Sequence, residues 1–408
     1  MRAGSDTRLS LEQFDRIFLI AAGKAAVEMA SAVEAILGER LSGGIVVTKH
    51  GHARKRLPRL RVIEAGHPIP DDAGLEASQA VRELLQQLNA RDLLLVAISG
   101  GASALLPSPA APVNLRAKQR TTDLLLRAGA NITQLNAVRK HLSRLKGGGF
   151  AALAYPATVV SLLLSDVIGD PLDVIGSGLT APDTSTFADA VRVLDKYGVL
   201  DRVPSTVRDH FQAGVTQVIA ETPKRGDPIF KNVHNVLIGS NRLALDAAAQ
   251  RAKLLGYRPL ILTSTLEGET REVARVHAQI LREVFNSGHP ISPPACIVSG
   301  GETTVTVQGS GKGGRNQEFA LAAAMAIAGL RNALILSGGT DGTDGPTDAA
   351  GAIATGETVR AADVLGLSAA DYLRDNNAYP FFDALGDLVK TGPTGTNVMD
   401  VHLLLISK

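Results

Sequence analysis

Short uninterrupted apolar runs alternate along this chain with stretches in which apolar positions recur every three or four residues. The runs at 17–21, 45–48, 62–65, 93–98 and 158–164 read as buried strands. Between them, 24–37, 73–88, 115–128 and 132–145 carry a helical period, with Leu75, Val81, Leu84, Leu85 and Leu88 on one face of the second. Continuous apolar strands separated by helices predict a parallel sheet covered on both faces. Shorter helices are expected at 187–197 and 203–212, before a polar, proline-bearing stretch at 221–232. Strand 236–239, helix 242–255, strand 259–263 and helix 269–285 then resume the alternation. We therefore expect an α/β chain of two lobes, 1–225 and 226–408, joined through that polar stretch. An alternating Thr/Val run at 303–307 predicts that the second sheet is mixed, with further strands at 334–336 and 398–406.

Glycine sharpens this picture. The 41 glycines are roughly a tenth of the chain against a usual share of about 7%, and they gather where strands end. Gly23-Lys24 follows the first strand, Lys49-His50-Gly51-His52 the second, and Gly66-His67 the third. Ser99-Gly100-Gly101-Ala102-Ser103 follows the fourth, and Ser165-Asp166 the fifth. Ligands of open parallel sheets bind outside these carboxyl ends. Lys49 there suits a carboxylate or phosphate, against the alternative of a solvated lysine. Asp166 suits orienting a hydroxyl or holding a metal, or else caps the next helix. His50 and His52 lack a nearby third ligand for zinc. The loop 99–103 lacks the G-x-S-x-G of a serine hydrolase.

The richest stretch is 299–317. Ser299, Gly300, Gly301 and Glu302 end one strand; a glycine loop then carries Lys312 and Gly313, and Arg315 and Asn316 open a helix. Glycines before a helix start offer backbone N–H groups to an anion, so this reads as a phosphate or carboxylate cradle. Residues 309–314 formally match G-x-G-x-x-G, which is weak alone, because a dinucleotide site needs a parallel strand-helix-strand unit and a later acid. A plain glycine hairpin with a solvated Lys312 is the other alternative, and Arg315 argues against it, being suited to bidentate phosphate recognition. A G-x-x-x-x-G-K-[ST] loop is absent. Asp341 and Asp344, in the glycine-rich stretch 337–348, suit Mg²⁺ beside phosphates or else an array of Asx turns.

Composition excludes more than it assigns. Hydrophobic residues at 45% and charged ones at 20% fit a globular chain. Forty-two Lys and Arg against 40 Asp and Glu, net +2, give no support to a nucleic-acid partner. One cysteine, Cys296, makes no internal disulfide, and the first ten residues carry no apolar signal core. The longest apolar run, 320–330, is too short to span a bilayer. A cytoplasmic protein is the expectation.

Nine segments together resemble one family. They are AAGKAAVEMA (21–30), VVTKHGHA (46–53), EAGHPIPD (64–71), SGGASALLPSP (99–109), LNAVRKHLSRLKGGG (135–149), SDVIGDPLDVIGSG (165–178), IGSNRLALDAA (238–248), SGGETTVTVQGSGKGGRNQEFAL (299–321) and SGGTDGTDGPTDAAGA (337–352). In this order they resemble the glycerate 2-kinases with a C-terminal MOFRL domain. The resemblance implies a Rossmann-like first lobe, a second lobe containing the MOFRL domain, and an active site in the cleft between them. It implies phosphorylation of D-glycerate at its 2-hydroxyl by ATP with Mg²⁺ or another divalent cation, and it carries the catalytic lysine and arginine onto Lys49 and Arg315. Arg315 and Lys312 are then expected to neutralise the phosphoryl group, and Asp341 or Asp344 to hold the metal. Asp166 is expected to orient or deprotonate the hydroxyl. Gly23, Lys24, Ser99, Gly100, Gly101, Ser103, Ser299, Gly300, Gly301, Glu302, Gly313 and Asn316 are expected to complete substrate and phosphate binding. The expected partners are glycerate and a nucleotide, with no nucleic acid and no membrane, and a homodimer is allowed for. An NAD(P)H-dependent hydroxypyruvate reductase is the competing activity.

Overall fold

The apolar runs of the first half form one sheet of six strands, β1 (Arg16–Ala22), β2 (Gly43–Lys49), β3 (Arg61–Ala65), β4 (Asp92–Ile98), β5 (Thr158–Leu164) and β6 (Val233–Gly239). This computed structural model describes residues 2–3 and 7–407. The strand order is β3-β2-β1-β4-β5-β6, which is the order of a dinucleotide-type fold, and the pairings from β3 across to β5 are parallel. Strand β4 is buried at every residue, as its unbroken apolar run requires at the centre of a covered sheet. Helix Ala26–Leu37 lays Ala26, Val27, Ala30 and Val33 on Leu19, Ala21, Val46 and Leu95. Each large aliphatic side chain so buried contributes about 1.5–3 kcal/mol.

A satellite core lies beside this sheet. Helices Leu115–Arg127, Ile132–His141, Phe187–Lys196 and Ser205–Val215 enclose Leu125, Leu135, Val138, Phe187, Leu194 and Phe211. Their starts are fixed by side-chain caps: Asn114 accepts from Ala117 N, and Asn131 and Thr186 form capping boxes with Gln134 and Asp189.

The second sheet contains β7 (Arg258–Leu266), β8 (Ala295–Gly301), β9 (Ala333–Gly339), β10 (Gly351–Thr355), β11 (Leu388–Val389) and β12 (Asp400–Ile406), in the order β11-β10-β9-β12-β8-β7. It is mixed, as expected, but for a different reason. Residues 303–307 make no strand, only an isolated bridge from Thr304 to Glu269. The antiparallel members are β12, which runs between β8 and β9, and β10, which pairs antiparallel with β9 and β11. Its core gathers Phe319, Phe381, Phe382, Leu281, Ile297 and Ile335.

By contacts the chain divides into Met1–Ser165 with Asp170–Ile238, and Asp166–Gly169 with Gly239–Lys408. The boundary thus lies beyond the expected 225/226, because β6 adds to the edge of the first sheet. The polar stretch before it is also bound to the first unit: Glu221 accepts from Phe187 N at 2.8 Å, and Thr222 donates to Asp183 at 2.9 Å. Among the described residues no helix is long and apolar enough to cross a membrane.

Candidate functional site

In the first unit the strand order reverses beside β1, so the crevice between the ends of β1 and β4 is the expected ligand position. Close approach is built in. Gly23, at φ +130°, has no room for a side chain, since a Cβ would sit 2.2 Å from Ser99 Oγ. Lys24 N donates to Gly100 O at 2.9 Å, and Ala25 N to Ser99 Oγ at 3.0 Å. Ser99 is buried and therefore ties two loops together instead of presenting a nucleophile. Gly101, at φ +91°, lets His67 lie where a Cβ would be 2.9 Å from the imidazole.

These loops gather positive charge. Burial lowers the His67 pKa from its ordinary value, and the charges of Lys24, Lys49 and His52 lower it further. Lys24 is exposed and Lys49 half-buried. Among the described residues neither ammonium has a carboxylate partner. Ser103 Oγ lies 2.8 Å from Ser177 Oγ and accepts from Lys146 Nζ at 3.0 Å.

In the second unit the centre is a residue that the sequence reading passed over as part of a strand. Asp400 begins β12 between Gly301 of β8 and Gly339 of β9, so the two Ser-Gly-Gly strand ends flank it. It is wholly buried. It accepts from Arg315 Nε and Nη2 at 2.5 and 3.0 Å and from Asn316 Nδ2 at 2.9 Å. Arg315 Nη1 also meets Glu302 at 2.8 Å. These bonds leave one N–H on each Nη nitrogen, and the Arg315 side chain is 34% exposed. Burial raises the Glu302 carboxyl, aided by Asp400 and Asp166, against the opposing charge of Arg315. A polar thread runs inward: Ser337 Oγ donates to Asn316 Oδ1 at 2.7 Å and lies 2.9 Å from His402 Nδ1. Asn316 and Ser299, the latter bonded to His277 Nε2, are thus internal supports. The signal for Asp400 was present as DVHLLLI, where two polar residues share the buried face of an alternating strand.

The glycine loop is packed against protein. Gly309 and Gly311 lack side chains because a Cβ on either would come within 2.4 Å of atoms of Asp375 or Asn377. Its donors are engaged too. Gln308 N and Gly309 N donate to Asn376 Oδ1, Ser310 N to Asp375 Oδ1, Gly311 N to Asp375 O and Lys312 N to Asn377 Oδ1. The Lys312 ammonium lies 4.4 Å above the Tyr379 ring. The cradle reading of these glycines is corrected accordingly: they allow docking onto the turn after helix Ala369–Arg374.

Asp344 caps the helix that Arg315 opens. Its oxygens accept from Asn316 N at 3.1 Å and Gln317 N at 2.9 Å. That is the Asx-type alternative, and it engages both carboxylate oxygens of buried Asp344. Asp341 turns its own loop, accepting from Thr343 N and Oγ1 through Oδ1 alone. Among the described residues no three His, Cys, Asp or Glu side chains gather as a metal site.

Burial pushes the Asp344 carboxyl up to about 6 from an ordinary 3.8. Between these values the folded chain binds more protons than the unfolded one, so stability falls as pH rises through that window. Asp344→Asn should remove this slope while Asp400 and Glu302 keep theirs. The expected difference between wild type and variant on going from pH 4 to pH 6.5 is on the order of 1–3 kcal/mol. Urea unfolding at both pH values measures it, and parallel changes in the two proteins would refute the assignment.

Residues 2–212 match the family described as "Domain of unknown function (DUF4147)", and residues 295–400 match the MOFRL family. The chain is 44% identical over 392 residues to D-glycerate 2-kinase of Thermotoga maritima, covering 96% of this chain and 91% of that protein. It is 39% identical to the glycerate kinase of Homo sapiens, covering 98% and 86%. The crystal structure of the Thermotoga maritima glycerate kinase superposes with a TM-score of 0.91 over 97% of this chain and 92% of that one. The chain belongs to the glycerate kinase family that combines a DUF4147 domain with a MOFRL domain.

Proposed function

We propose that this chain is an ATP-dependent kinase that phosphorylates D-glycerate at its 2-hydroxyl, giving 2-phosphoglycerate and ADP. The observation that carries this reading is the uncompensated positive charge of Lys24 and Lys49 around His67, at the carboxyl ends of β1, β2 and β3. Phosphoryl transfer needs positioning and charge neutralisation more than a strong nucleophile, and cations without carboxylate partners are available for both. The glycerate hydroxyl oxygen forms a bond to the γ-phosphorus, the bond from that phosphorus to the bridging oxygen breaks, and ADP leaves with the electron pair. Asp166 is assigned to receive the hydroxyl proton. Lys49 holds an oxyanion of the reactants. Arg315, fixed by Asp400 and Glu302, offers its two remaining N–H groups to the transferring phosphoryl, and Lys312 adds charge to the same unit. A divalent cation would arrive with the nucleotide phosphates, and Asp341 is the carboxylate left to meet it. A single buried cysteine is consistent with a cytoplasmic setting.

A coupled assay of ADP release with D-glycerate, followed by NMR of the product, tests the reading. No glycerate-dependent ADP release would sink it. NADH oxidation with hydroxypyruvate in its place would establish the reductase.

A further inference from the structure

His67 and Gly101 also line a cavity of about 770 Å³ lying wholly within the first unit. Its walls are partly apolar, from Pro68, Ile69, Pro107, Leu115 and Leu126. Its charge is one-sided: Arg116, Lys118, Arg120, Arg139 and Lys146 face a single carboxylate, Asp123. That carboxylate is already paired with Arg127 at 2.9 Å.

The two lysines are buried, at 6% and 2% exposure. Lys118 Nζ donates to Pro107 O at 2.6 Å, and Lys146 Nζ donates to the carbonyl and hydroxyl of Ser103 and to Leu106 O. Such neutral acceptors satisfy hydrogen bonds without balancing charge. Burial pushes Lys146 down to about 7, with Arg139 adding to it, and holds Lys118 well below its ordinary value. Half-buried Arg139 has no carboxylate partner among the described residues. Its neighbour Lys140 shows the contrast, held by Asp173 and Asp183 at 3.1 Å each. Burial thus favours the neutral amines of both lysines, so the lasting charge at this cavity is that of its arginines. Half-buried Arg139, without a carboxylate among the described residues, is the one that an anion would complete.

We propose that this cavity receives the carboxylate of the hydroxy acid, with Arg139 as its principal partner and Ser103 as a second contact. The proposal rests on the glycerate kinase reading and adds where the acid end is held. A carboxylate fits better than a nucleotide triphosphate, because a triphosphate brings a divalent cation that needs a carboxylate of its own, and the single one present is ion-paired. His67 and Gly101 belong to both the cavity wall and the cluster of Lys24 and Lys49. An acid group held at Arg139 therefore leaves the hydroxyl end of a small hydroxy acid toward the cations assigned to phosphoryl transfer.

The test compares wild type with Arg139→Met and Arg139→Lys, measuring KM for glycerate and for ATP separately and titrating glycerate calorimetrically without nucleotide. Loss of a charge-assisted bidentate contact should raise the glycerate KM about 10- to 100-fold in Arg139→Met. The ATP KM should stay within about twofold. Arg139→Lys, which keeps the charge without the fork, should fall between the two proteins and secures the comparison if the Met variant folds poorly. Preference for glycerate over uncharged glycerol should shrink in the same order. A rise in the ATP KM instead, or an unchanged glycerate KM with normal wild-type turnover, overturns the cavity assignment alone. If the wild type does not phosphorylate glycerate, the kinase reading fails. Glycerate binding that is lost in Arg139→Met would then still support the cavity, and unaltered or absent binding would overturn it.

Discussion

Arg315→Ala is expected to lower kcat for glycerate phosphorylation by about 10³-fold or more, the range in which an arginine on a transferring phosphoryl acts. The side chain has two jobs that must be separated. Its Nε and Nη2 hold Asp400, which is wholly buried. Removing the guanidinium leaves that carboxylate with Asn316 as its remaining side-chain donor. Breaking a fully buried ion pair from one side costs about 3–5 kcal/mol, and partial exposure of Arg315 places this case nearer 2–3 kcal/mol. A fall in activity could then reflect a smaller folded fraction. Arg315→Lys resolves this. Its ammonium can stay near Asp400 and limit the stability loss, but it cannot serve Asp400, Glu302 and a phosphoryl oxygen in one plane. Thermal unfolding of both variants, with kcat measured well below their Tm, gives the comparison. A Lys variant that is folded and still slowed about 10²-fold or more supports the transfer role. Wild-type kcat in either variant would remove Arg315 from the mechanism.

How far the sequence reaches differs between the two units, for physical reasons. Strand ends were legible, because an uninterrupted apolar run followed by glycine has few interpretations in a parallel sheet. Lys24, Lys49 and the Ser99–Ser103 loop lie at neighbouring strand ends, where Ser99 acts as a tie between loops. Glycine itself was the weak sign. Its absence of a side chain serves a ligand, a positive φ or a close neighbour equally well, and at Gly309 and Gly311 the neighbour is the Asp375–Asn377 turn. That turn was unreadable because 358–385 is a series of short helices with little periodicity. Asp400 was hidden for the opposite reason, sitting in a strand whose apolar residues dominate the pattern. The cavity cations fell outside the reading as well. Arg139 and Lys140 are consecutive on one helix, and no local rule says that Asp173 and Asp183 pair with the second and leave the first.

Lys49→Ala should separate catalysis from folding more cleanly. Lys49 ends β2, where its backbone pairs in register with Ala65 of β3, and its half-buried side chain has no carboxylate partner among the described residues. Its removal deletes no ion pair among the described residues and takes one positive charge from beside His67. Stability should therefore change by no more than about 0.5 kcal/mol, and the sign should favour the variant at low salt. Activity should nevertheless fall, with kcat/KM down by about 10²- to 10³-fold, the scale of one preorganised charge in a transferring-group site. An independent reporter lies beside it. The His67 pKa is lowered first by burial and then by Lys24 and Lys49, so deleting one of those charges should move it upward while leaving its burial intact. NMR titration of the His67 ring in the two proteins reads that shift without any substrate. An upward shift together with a large loss of kcat/KM places the Lys49 charge in the cluster and assigns it to the reactants. An unmoved His67 would show that Lys49 is solvated away from the strand ends. A shift with full activity would show a cation that is present but unused, which would return the burden of charge neutralisation to Lys24 and Arg315.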